Sequence, residues 1–165
     1  MARDRILRPA RARGFSLVEL VVVLAIMGLL ASIGFPLAEL AHRRNQEEEL
    51  HRALIEIRHG LDAYKQLVDQ GHIGNPMGGS GYPSTLEALV KGVPDLQSPT
   101  PRLIFVMRRL PRDPFAPIAI AAAAQTWGLR SYASTPDDPK PGADVFDIHS
   151  QSPGVGLDGT PYRQW

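Results

Sequence analysis

The 165-residue chain contains no cysteine. That excludes a disulfide framework, a thiolate nucleophile and any cysteine-based zinc site. It neither requires nor excludes an oxidising compartment. Paired histidines are missing as well. His42, His51, His59, His72 and His149 never stand four residues apart, so no helix-borne zinc motif is present; solvated surface positions suit them better. No G-x-S-x-G elbow singles out a nucleophilic serine. "GGSG" at 78–81 lacks the lysine and the spacing of a phosphate loop and reads as a flexible turn. Asp137–Asp138 and Glu47–Glu49 have no matched histidine or metal partner and read as solvated charge. Cations are scarce where nucleic acid would need them. Arg3, Arg5, Arg8, Arg11 and Arg13 against Asp4 give the first 13 residues a local charge of +4, so of the net +1 the remainder carries −3. A nucleic-acid footprint needs lysine and arginine clustered on one face, and none is visible there.

What is present is unevenly spread. The length allows one domain plus an appendage. Glycine and proline occur 15 times each, mostly after residue 70, so the second half is rich in loops. The first half opens on an apolar run. From Phe15 to Phe35 the only polar side chains are Ser16, Glu19 and Ser32. A helix of that length, at about 1.5 Å per residue, spans roughly 31 Å, the thickness of a bilayer's hydrocarbon core. The arginines before it favour a cytoplasmic amino end, with the chain beyond it exported.

Glu19 is the feature to explain. An acid inside a spanning helix costs on the order of 2.5–3.5 kcal/mol, less near an end. A cleaved secretory signal shares the basic start, but the run is long and "SIGFPLAEL" is a poor cleavage site. An uncleaved anchor leaves the acid without a partner. A third reading removes the basic segment instead. Cutting after Gly14 creates an α-amino group on Phe15, charged at neutral pH with an ordinary pKa of about 8. Glu19 then lies one helical turn away and can pair with that amine or with the amine of a neighbouring copy. A buried pair of that kind specifies register.

"RGFSLVEL" resembles the processing motif of type IV pilins and the related pseudopilins. The resemblance implies a prepilin peptidase that cuts between Gly14 and Phe15 and methylates the new amino terminus. It implies that Glu19 acts in assembly. Pro36 falls where many members carry a helix-kinking proline.

Beyond Pro36 the spacing predicts a continuing amphipathic helix. Leu50, Leu54, Ile57, Leu61, Tyr64 and Val68 recur at intervals of four and three, a core-facing stripe. Leu37, Leu40 and Ala41 extend it. Glu47, Glu48, Arg52, Glu56, Arg58, Asp62 and Lys65 form the opposite, charged face. Gly71, followed by Gly74, Pro76 and "GGSG", ends the helix. Ser84 and Glu87 in "YPSTLEALVKG" predict a capping box before a short helix stopped by Gly92. Residues 93–117 read as extended or turning, and 118–124 as either a short helix or a buried strand. "TWGLRSYAS" and "DVFDIHS" alternate as strands, Val145 and Asp147 on one face against Phe146, Ile148 and Ser150. The proline-rich "TPDDPKPGA" would join them as an antiparallel pair.

The second half is similar to the G-type major pseudopilins of type II secretion systems, through "YPSTLEALV", "LPRDPF", "DVFDIHS" and the terminal Trp165. Two departures stand out. "RRLPRDPFAPIAIAAAAQTWG" carries an insertion before its strand. The last loop, "SQSPGVGLDGTPYRQW", is shorter and poorer in acids than that branch's calcium-binding loop. Calcium takes six to eight oxygens; the loop offers Asp158 with hydroxyls of Ser150 and Ser152 as candidate ligands. Asp158–Gly159 reads as a metal-free turn otherwise.

The expectation is therefore an α+β protein: a cleaved leader 1–14, a transmembrane and filament-core helix 15–36, an amphipathic helix 37–70 and an α+β head 71–165 packed with a small antiparallel sheet. The resemblance implies a non-enzymatic filament subunit that needs no cofactor, calcium apart. Its partners would be copies of itself, the prepilin peptidase, other pseudopilins, an inner-membrane assembly platform and the membrane, without nucleic acid. It would be a single-pass inner-membrane protein with a periplasmic head. A type IV major or minor pilin is the alternative, and an anchored exported binding or enzymatic domain the rival from another class.

Overall fold

A computed structural model describes residues 14–75 and 78–165, leaving aside the side chain of Ile33. The leader residues 1–13 and Pro76 lie outside the described residues. The fold is α+β. Among the described residues one long helix, α1 (Leu17–Asp69), is followed by a short helix, α2 (Ala88–Lys91), and by four short strands. Strands β1 (Val93–Pro94) and β2 (Leu103–Ile104) pair antiparallel, as do β3 (Trp127–Arg130) and β4 (Asp147–Ser150). A 3-10 turn, Ala123–Thr126, leads into β3, and another, Tyr162–Gln164, closes the chain. The chain divides between His42 and Arg43 into two units.

The second unit holds the core. All six stripe residues, Leu50, Leu54, Ile57, Leu61, Tyr64 and Val68, are buried. They belong to one apolar cluster with Leu86 and Leu89 around α2, Met107 after β2, Trp127 from β3, Ile148 from β4, and Tyr162. The helical spacing that predicted the stripe is thus the packing face itself. Gly60 shares it. A Cβ there would lie 2.6 Å from the Met107 sulfur, so glycine lets the connecting segment close onto the helix. The helix accepts about 1 kcal/mol of lost propensity for that contact.

The end of α1 is built as expected. Gly71 takes φ +79°; its N–H donates to Val68 C=O, and that of His72 to Leu67 C=O, both at 2.9 Å. This pair of bonds is a Schellman cap. The start of α2 departs from expectation. Glu87 occupies the cap position and no side chain caps the helix, so the Ser84–Glu87 box does not form. The turn over residues 85–91 is held by backbone bonds instead, such as Lys91 N–H to Glu87 C=O at 2.9 Å. The stretch 118–124, expected as a short helix or a buried strand, is not a strand; it turns and then enters the 3-10 helix Ala123–Thr126.

Strand β4 also corrects the face assignment. It begins at Asp147, so Val145 lies before it, with its N–H bonded to Pro83 C=O at 2.8 Å. Val145, Ile148 and Ser150 are all buried, while Asp147 turns to the arginines. Arg58 of α1 donates to its Oδ1 at 2.8 Å and Arg130 of β3 to its Oδ2 at 3.1 Å. Arg58 also reaches Ile148 C=O at 3.3 Å and Trp165 C=O at 2.7 Å. One carboxylate therefore pins the helix to the sheet.

Partial burial pushes the Asp147 carboxyl up, but the hydrogen bond and charge of Arg58, the Ile148 N–H and Arg130 together hold it below the usual carboxylate range. A depressed folded value contributes stability that is present above the unfolded value of about 4 and is lost as pH falls through the folded one. Asp147→Asn should lower the thermal stability of the detergent-solubilised chain by about 1–3 kcal/mol at neutral pH. The deficit should shrink as the solution is acidified below the usual carboxylate range. A deficit that does not change with pH would contradict this account of the pin.

Candidate functional site

In the first unit α1 is apolar and uncovered. Its best window has a mean hydropathy of 2.5, and none of that window is buried. Leu17 is 79% exposed, Met27 61% and Leu30 64%. At about 25 cal/mol for each Å² of apolar surface, such a face is strongly driven out of water, and nothing in the described chain takes it.

Ser16 starts the helix. Its Oγ accepts the Val18 N–H at 3.2 Å and its C=O accepts the Leu20 N–H at 3.1 Å. That is an N-cap, satisfying donors that would otherwise be orphaned. Sequence reasoning overlooked it, although Ser16–Leu17–Val18–Glu19 has the same S-x-x-E form as the box assigned to Ser84. Glu19 sits in the first turn, where the helix dipole favours a negative charge. The acid thus stands at the amino end of the apolar segment, one turn from Phe15. Phe15 itself precedes the helix and is 80% exposed.

Gly14 is exposed, and a Cβ added to it would meet nothing within 4 Å. Neither packing nor backbone conformation in this chain calls for glycine there. Pro36 lies inside α1; lacking an N–H, it leaves the Ser32 carbonyl without its i+4 donor. The Ser32 hydroxyl donates to Leu29 C=O at 2.7 Å, so this polar group in the apolar segment is satisfied locally.

Of the residues predicted for calcium, Ser150 and Ser152 are joined, the Ser152 N–H donating to Ser150 Oγ at 3.1 Å, while Asp158 stands apart. Ser150 is fully buried and donates to Asp113 Oδ2 at 2.6 Å. Asp113, also buried, accepts the Phe115 N–H at 2.8 Å, while its own N–H donates to the Thr126 hydroxyl at 3.1 Å. Asp113 and Thr126 so close the base of the inserted segment. Ser152 Oγ accepts the Gly154 N–H at 3.3 Å, and Asp158 Oδ1 accepts the Thr160 N–H at 2.8 Å. Among the described residues no hydrogen bond links Asp158 to either serine, and no cluster of three or more His, Asp or Glu could hold a metal ion.

Among several hollows in the head, one of about 620 Å³ is bordered by Leu86, Ala124, Trp127, Leu129, His149 and Gln151. His149 lies over Gly128, where a Cβ would come within 2.2 Å of Nε2. Burial pushes the His149 imidazole down from its ordinary value. Among the described residues its ring makes no hydrogen bond, so no base–nucleophile pair forms there.

One family model, described as the prokaryotic N-terminal methylation motif, matches residues 9–35. No curated protein and no solved structure matches the chain. The match covers the apolar segment with Gly14, Phe15 and Glu19, and stops before the head.

Because the Gly14 site is open, Gly14→Val should leave the fold unchanged. It should nevertheless abolish removal of the leader. Mass spectrometry of membrane-extracted protein should find wild type beginning at Phe15, N-methylated, and the variant beginning at Met1. Equal processing of both, or a wild type that keeps residues 1–14, would contradict the assignment.

Proposed function

We propose, from the premise that residues 9–35 make this a type IV pilin-like protein, that the chain is the structural subunit of a type II secretion-like pseudopilus. The observation that supports this most strongly is the coincidence of the methylation motif with an apolar helix that none of the described residues covers. Such a surface needs lipid before assembly and neighbouring helices after it. A prepilin peptidase would cut after Gly14 and methylate Phe15. The helix would hold each copy in the inner membrane with the head in the periplasm, until a platform of membrane partners adds it to the filament.

The finer choice of a G-type pseudopilin over a type IV major or minor pilin rests on "YPSTLEALV", "LPRDPF", "DVFDIHS" and Trp165. Asp113 of "LPRDPF" and Ser150 of "DVFDIHS" are bonded to each other in the buried interior, so these pieces serve one structural purpose. On this reading the protein performs no chemistry of its own. The hollow beside His149 is what would favour an anchored binding domain instead.

Glu19 tests the proposal. Glu19→Gln preserves shape and removes charge. Membrane insertion should become easier, since the cost of placing an acid in lipid disappears. Cleavage should persist, because the Gly14–Phe15 junction is untouched. Assembly should weaken, because the Phe15 amine of each copy loses its carboxylate; breaking a buried pair costs about 3–5 kcal/mol. Sheared or cross-linked filaments at matched expression and cleavage give the comparison. Wild-type assembly by the variant would mean that the acid serves only its own helix end.

A further inference from the structure

The last loop is tied to the first helix by one helical turn. Within the loop, Val155 and Pro161 form an isolated antiparallel bridge, and the Gly156 N–H donates to Thr160 C=O at 2.8 Å. Gly159, at φ +87°, completes the turn with its N–H on Gly156 C=O at 2.9 Å. The helix side consists of Arg43 and Glu47. The Arg43 guanidinium donates to Val155 C=O and, at 3.4 Å, to the Tyr162 hydroxyl oxygen. Glu47 Oε1 accepts the Leu157 N–H at 2.9 Å and the Tyr162 O–H at 2.8 Å. The two side chains face each other at 3.5 Å, and that of Glu47 is only 12% exposed.

These contacts bear on the cation that the family resemblance implies for this loop. Calcium needs six to eight converging oxygens. Here the Ser150 hydroxyl accepts the Ser152 N–H at 3.1 Å and donates to Asp113, the Ser152 hydroxyl accepts the Gly154 N–H, and Asp158 is bonded apart from both, to the Thr160 N–H. The Val155 carbonyl is held by a guanidinium. Towards Glu47 the loop presents an N–H, a donor that cannot ligate a cation. The residues present do not fit a bound calcium ion.

We propose that Arg43 and Glu47 form an internal latch that cross-links the loop Val155–Tyr162 to α1 in place of a cation. The pairing suits the task. Arg43 is permanently charged and offers several donors from one planar group, while a carboxylate accepts several bonds at once. Spacing of four residues sets both on one helical face. Tyr162 carries the latch into the core: it is buried, stacks on Phe115 at 4.3 Å between centroids and meets the Trp165 ring edge-on at 5.1 Å. Order in the loop then follows from folding of the helix turn and is indifferent to divalent ions. This inference stands independently of the filament reading.

The test uses the full chain in detergent micelles and reads amide hydrogen exchange across residues 153–162. Wild type should give the same exchange and the same melting midpoint with excess calcium chloride as with excess EDTA. Glu47→Ala should speed exchange at Leu157 about ten- to a hundredfold, calcium should not restore protection, and amides at Leu50–Val68 should stay protected. Arg43→Met should act in the same direction and carries the test should Glu47→Ala fail to fold. Loop exchange in wild type that slows with calcium or quickens with EDTA would overturn the proposal. So would unchanged exchange at Leu157 in folded Glu47→Ala.

Discussion

An α-helix that exposes Leu17, Leu20, Leu24, Met27 and Leu30 together cannot remain in water, since each such side chain left uncovered forgoes about 1.5–3 kcal/mol of burial. Every other feature of the first unit answers to that constraint. The Ser32 hydroxyl turns back onto its own helix. Ser16 caps the first turn, so that the helix end carries fewer unsatisfied donors. Glu19, the one acid of the apolar run Phe15–Phe35, stands in that first turn, where the dipole favours it and where a freed amine on Phe15 would lie one turn away. The apolar face asks for lipid or for other helices, and the processing motif on the same segment points to both in succession.

The same helix serves a second purpose beyond His42. Its Leu50–Val68 stripe is the largest single wall of the head's core, and the head's strands, two to four residues long, could not stand alone. Polar contacts on its other faces hold the remaining parts. Arg58 reaches the sheet through Asp147, and Arg43 with Glu47 reaches the terminal loop. Asp113 joins the inserted segment to β4 through Ser150. The head is thus a set of short pieces, of which the β3–β4 sheet and the last loop are fastened to α1 by charge-assisted bonds and the inserted segment to β4.

How much of this could be read from sequence depended on the range of the interaction. The stripe was legible because six apolar residues repeat at the helical period, and β3 and β4 because their residues alternate. Gly71 announced the helix end, since its positive φ is a local requirement. The S-x-x-E pattern was read at Ser84, where backbone bonds suffice, and overlooked at Ser16, where the serine does cap. Periodicity cannot separate those two cases. Val145 seemed to continue the strand face, but the strand starts two residues later. The latch was invisible for a different reason. Arg43 and Glu47 look like ordinary charges on a solvated face, and their partners lie more than a hundred residues away. Of the calcium candidates, Ser150 and Ser152 lie together beside Asp113, while Asp158 caps its own turn at Thr160.

At the centre of the proposal is a division of labour within α1: the apolar half would serve lipid and neighbouring copies, and the amphipathic half would suffice to fold the head. Thermal unfolding of a fragment beginning at Ala38, followed by near-ultraviolet circular dichroism without detergent, tests this most directly. A soluble fragment with fixed aromatic signals and a single cooperative transition is the predicted result. A fragment that aggregates, or that keeps helical signal without fixed tertiary packing, would mean that the Leu50–Val68 stripe needs neighbouring copies, and would contradict the division.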